Sequence, residues 1–107
     1  MDKKQISLDG LARKTTLVCF DDAGVYIVKE GAEQFVPFAD VLTLSKTHTA
    51  LNNRYFWRLE YRVGEAAAAV EFRPNTTLWN RNFKDFHSRL SEVRPEAIRS
   101  PYRWWSL

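Results

Sequence analysis

The rhythm of apolar residues changes once along this chain, near Pro74, and that change constrains the fold more than any other feature. Residues 54–72 read RYFWRLEYRVGEAAAAVEF and alternate with a period of two, the mark of a strand with one buried face. Gly64-Glu65 is a two-residue connection with glycine first, which suits a type II′ turn. That turn sets Val63 opposite Ala66, Tyr61 opposite Ala68, Leu59 opposite Val70 and Trp57 opposite Phe72. One face of the hairpin then carries Trp57, Leu59, Tyr61, Val63, Ala66, Ala68, Val70 and Phe72. The other pairs Arg58 with Glu71 and sets Arg73 beside Phe56. A slip of one residue would reverse both faces. The small alanines leave room for something bulky to pack close.

Beyond Pro74 the period lengthens. Trp79, Phe83, Phe86, Leu90 and Val93 recur at spacings of four, three, four and three, one face of an amphipathic helix. Asn75, Thr76 or Thr77 can cap its start, and Pro95 ends it at about Arg94, so the spacing predicts a helix over about 76–94. Arg81 and Asp85, four apart on the polar face, are placed to pair.

Upstream, the signals are mostly strand. Residues 15–20 and 25–28 flank Asp21-Asp22-Ala23-Gly24 and read as a hairpin. Glu30-Gly31 is a second turn, and 33–38 a short strand ending near Pro37. Residues 41–44 form another strand. The polar stretch 45–53 reads as a long loop. Ile6 and Leu8 suggest a first strand.

At 107 residues and 45% hydrophobic, the chain makes one domain, 1–107, with a core that needs no disulfides: a body of about 5–94 and a tail of 95–107. The single Cys19 cannot close an internal disulfide, and no apolar leader follows Met1. Both point to a reducing cytoplasm. No apolar run reaches the roughly 20 residues needed to cross a bilayer. The net charge of +3 is concentrated in the tail, with Arg94, Arg99 and Arg103 against Glu96. A nearly neutral body is a poor partner for a phosphate backbone. Strict alternation also sends Trp57 and Tyr61 one way and Arg54, Arg58 and Arg62 the other, so bases could not stack where phosphates are neutralised. Nucleic acid is therefore not an expected partner.

Candidate chemistry is sparse. Cys19 lies in an apolar strand and reads as a small buried hydrophobe. His48 sits in the polar stretch and His87 beside the helix stripe, neither with a second ligand at metal spacing. Turn chemistry accounts for Asp21-Asp22. These observations predict no enzyme and no cofactor. The tail is the least ordinary segment: Arg99, Tyr102, Arg103, Trp104 and Trp105 combine cations with amphipathic rings, the composition of a contact surface. Two adjacent tryptophans need a partner, either the chain's own core or sheet edge, or another molecule.

The run 25–28, a turn, then FVPFADVLTL over 35–44, the 57–72 hairpin and the 79–93 stripe, taken in that order, resemble the small bacterial, GRAM-like form of the pleckstrin-homology-like domain. The resemblance spans roughly residues 5–93. It implies an α+β fold: a partly open barrel of short antiparallel strands, capped by the helix, with the alanines as floor positions beneath Phe83 and Phe86. It also implies a binding scaffold. Family members that hold inositol phosphates cluster Lys and Arg between their first two strands. Here that loop offers Arg13 and Lys14, or the acidic Asp21-Asp22 turn. The expected function is a non-enzymatic module for a protein partner or self-association. The alternatives are peripheral contact with anionic lipid headgroups through basic residues and the tail tryptophans, and a small-ligand pocket or enzyme inside the barrel.

Overall fold

The 54–72 reversal forms in the register that its turn requires. In the computed structural model, which describes residues 2–8 and 16–103, β6 (Arg54–Val63) pairs with β7 (Ala66–Phe72) so that Trp57 faces Phe72, Leu59 faces Val70 and Val63 faces Ala66. Gly64 has φ 60°, a conformation that glycine adopts without strain. Trp57, Leu59, Tyr61, Val70 and Phe72 are buried. On the opposite face Arg58 Nη1 donates to Glu71 Oε2 at 3.2 Å, and the Arg73 guanidinium lies 5.8 Å from the Phe56 ring centre.

Upstream of this hairpin come β1 (Lys4–Gln5), β2 (Leu17–Phe20), β3 (Gly24–Lys29), β4 (Ala32–Pro37) and β5 (Val41–Leu51). They make two antiparallel sheets, β1-β2-β3-β4 and β5-β6-β7. A 3-10 turn over Phe38–Asp40 joins the two sheets and buries Phe38. The fold is thus α+β and mainly antiparallel, as expected, but the two sheets do not close into a barrel. Among the described residues, the sheets are linked at the chain's start by the bridge Ser7–Pro74, flanked by Leu8 N donating to Arg73 O and Asn75 N donating to Ile6 O.

Residues 45–51, expected as loop, extend β5 instead. Their threonines suit an extended backbone, and much of the segment lies in water, so polarity there marks an outward position rather than a break. The reversal needs only Asn52 and Asn53, at φ 53° and 65°, which asparagine tolerates.

The helix is shorter than its periodicity predicts. It runs Asn82–Val93, here α1. Phe83, Phe86 and Leu90 point into the core, contributing about 2 kcal/mol each. Phe86 meets Phe20 of the first sheet at 5.5 Å, while Phe83 meets Trp57 and Phe72 of the second at 5.0 and 6.0 Å. One helix thus fills the angle between both sheets. Trp79 precedes the helix and is exposed, and Val93 is 44% exposed; His87 completes the buried stripe. Asp85 approaches Lys4 at 3.9 Å rather than Arg81. The alanines do not form a floor under Phe83 and Phe86: Ala66 and Ala67 are exposed at the hairpin tip, and Ala68 alone among 66–69 packs against the core. No helix among the described residues is long and apolar enough to cross a membrane.

Candidate interaction surface

Pro95 cannot continue α1, and the chain turns there through a 3-10 turn over Pro95–Ala97, with Ala97 fully buried. It then runs back along the helix. Ile98 bridges Leu44 of β5 in parallel, and Arg99 N donates to Leu44 O at 2.9 Å. Lys46 N donates to Ser100 Oγ at 2.9 Å. His87 Nε2 lies 2.9 Å from Ser100 O, and because a carbonyl can only accept, the proton sits on Nε2. The Tyr102 ring then packs 6.1 Å from His87 and 6.2 Å from Phe83. Residues 97–102 are therefore part of the fold, covering the β5 edge and one side of the core.

Of the five tail residues singled out by composition, Tyr102 is an anchor that faces inward, and Arg99 and Arg103 are exposed. Trp104 and Trp105 lie outside the described residues. Cys19, His48 and His87 are not brought together. Cys19 is only half-buried, on the face of β2 opposite Val18 and Phe20; His48 is exposed on β5; His87 is in the core. Burial pushes the Cys19 thiol up, which keeps it protonated at neutral pH.

The return path of the tail leads toward the beginning of α1, where composition did not point. There the segment 73–82 is pinned to the first strand: the Nδ2 atoms of Asn75 and Asn82 both donate to Gln5 O, at 2.9 and 3.0 Å. Between these anchors, Thr77 Oγ1 accepts from the backbone N–H groups of Trp79 (3.2 Å) and Asn80 (2.9 Å), and Asn80 Oδ1 accepts from Asn82 N at 3.0 Å. Thr77 N also donates to Asn80 O. This hydrogen-bonded turn projects Leu78 and Trp79 into solvent at 84% and 88% exposure.

Cations lie on the segments that bound the turn. Arg54 Nη1 donates to Pro74 O and Arg73 Nη1 to Leu51 O, each at 3.1 Å, tying the Asn52-Asn53 reversal to the same end of the molecule. Arg81 and Lys84 flank the start of α1. Among the described residues no carboxylate pairs with Arg54, Arg73, Arg81 or Lys84. Sequence reasoning assigned Trp79 to the buried stripe because its spacing fits. The contrary signal was local: five of the eight residues in NTTLWNRN are Asn or Thr, whose side chains favour turns over helix.

Comparison with protein-family models, curated proteins and solved structures finds no match to this chain.

Proposed function

We propose that this chain is a non-enzymatic docking module of pleckstrin-homology-like type, working through the end of the molecule that carries Leu78 and Trp79. The element order supports the likeness in type: a four-stranded and a three-stranded antiparallel sheet, then one helix packed on both. Such an analogy gives a scaffold, and the function has to come from the surface itself. The observation that carries the reading is the pair Leu78–Trp79, two adjacent large apolar side chains held out in water by a turn with its own hydrogen bonds. A fold gains nothing from such a pair, whereas a partner gains a preorganised anchor.

The double variant Leu78→Ser/Trp79→Ser tests this directly. If the pair serves contact and not the fold, the variant melts within about one degree of the parent. A midpoint lower by about five degrees or more would show that the pair packs on its own chain, and the docking surface would have to be sought elsewhere.

A further inference from the structure

We infer that two copies of this chain join edge to edge along β7, merging their three-stranded sheets into one of six strands, a contact separate from the Leu78–Trp79 end. The direction of the β7 backbone groups shows which residues make it. In a two-residue reversal the flanking pair, here Val63 and Ala66, is hydrogen-bonded, and bonded pairs alternate along an antiparallel ladder. Ala66, Ala68, Val70 and Phe72 therefore bond to β6, while the N–H and C=O groups of Ala67, Ala69 and Glu71 point away from it. The chain keeps this phase beyond the strand, where Arg73 O accepts from Leu8 N and Asn75 N donates to Ile6 O. That junction closes the edge at Arg73, and the Gly64 turn closes it at the other end. Between them, Ala66–Phe72 has no second neighbouring strand among the described residues.

The other edges are guarded. Ile98–Ser100 lies along β5, β1 is two residues long, and β4 carries Glu33 and ends in Pro37. From Ala66 to Val70, β7 has neither charge nor proline. Its own pattern selects a second copy as the occupant. The outward-bonding residues are symmetric about Ala69, so a two-fold axis there sets Ala69 against the partner's Ala69 and Ala67 against the partner's Glu71. Every outward group is then satisfied, by about six backbone hydrogen bonds. Side chains agree with this register. On the outer face Arg62 stands beside Ala67, is exposed, and has no paired carboxylate among the described residues. Across the small Ala67 it meets the partner's Glu71. On the core side, exposed Ala66 falls beside the partner's Phe72, and Ala68 beside the partner's Val70. The axis uses up both β7 edges and leaves the shielded β5 edges outermost, so association stops at two.

So small a contact is weak, and the test is sedimentation equilibrium of the full chain at up to about 0.5 mM. The expected mass is twice the 12.5 kDa of one chain. Ala69→Pro removes an N–H that β6 does not use and should weaken the dimer at least about tenfold. Ala69→Lys, which sets two cations face to face on the axis, should do the same, and it decides alone if the proline variant melts below the parent. Leu78→Ser/Trp79→Ser should dimerise as the parent does. The amides of Ala67, Ala69 and Glu71 should exchange rapidly in dilute protein and slowly in concentrated protein. The inference is overturned if the parent stays monomeric, or if both Ala69 variants dimerise like the parent. It also falls if those three amides are already protected in dilute monomer, which would make residues 9–15 of the same chain the occupant. If Leu78→Ser/Trp79→Ser abolishes the dimer and the Ala69 variants do not, the second copy docks at the Leu78–Trp79 end, and the β7 contact falls while the docking reading stands.

Discussion

Gly24 has no room for a side chain. A Cβ there would lie 2.3 Å from Val36 O and 2.9 Å from Pro37 Cα, backbone atoms of the neighbouring strand that cannot swing aside. Gly24→Ala should therefore force β3 and β4 apart at the Gly24–Pro37 pair and lower stability by about 2–4 kcal/mol, read as a fall in urea midpoint. Ser7 is the reverse case, a polar side chain that the interior requires. Its buried Oγ accepts from Val18 N at 3.0 Å. Ser7→Ala would leave that N–H unpaired, at a cost of about 1–3 kcal/mol in the same measurement. Neither role was legible in the sequence. The glycine read as a turn residue and Ser7 carried no signal of its own, because each is defined by a strand distant in sequence or by a backbone approach that no local pattern encodes.

Elements were legible where a short turn and strict alternation agreed. The β6–β7 register followed from Gly64-Glu65 together with the alternation, since a slip of one residue would have set the apolar faces of the two strands on opposite sides. The pattern misleads at β5 and at the start of α1. In the first, outward-facing threonines resembled loop; in the second, an accidental spacing of four from Trp79 to Phe83 outweighed a run of turn-forming residues. The β2–β3 turn offers a test at this scale. Burial opposes the charge on Asp21, but hydrogen bonds from Tyr26 Oη and from the N–H groups of Ala23 and Gly24 outweigh it and hold the carboxyl below its usual range. A carboxyl lowered in the folded state stabilises when ionised. Its contribution is present above the ordinary carboxylate value, about pH 4, and disappears as pH falls through the folded value. Asp21→Asn should flatten the acid limb of the stability profile below about pH 4 in denaturant unfolding, with little change in its slope near neutrality.

For the whole molecule, the tail decides where the domain ends. The body was expected to stop at about residue 94, yet Ala97, Ile98 and Tyr102 complete the core, and three hydrogen bonds join Arg99 and Ser100 to Leu44, Lys46 and His87. Periodicity could not show this, because 95–102 holds no repeat; what fixes it in place is one strand edge and one helix face, neither of them adjacent in sequence. A chain ending at Pro95 should lose about 3–5 kcal/mol, measured by chemical denaturation.

The parallel bridge at Leu44 also has a protective side. β5 is eleven residues long and borders its sheet, and Ile98–Ser100 lies against its middle. Proteolysis that clipped the chain after Arg94 would strip the shield from a ready template for intermolecular strand addition. Nicked material should then polymerise into thioflavin-positive fibrils while intact chains stay clear, so that a few terminal residues act as this domain's guard against its own aggregation.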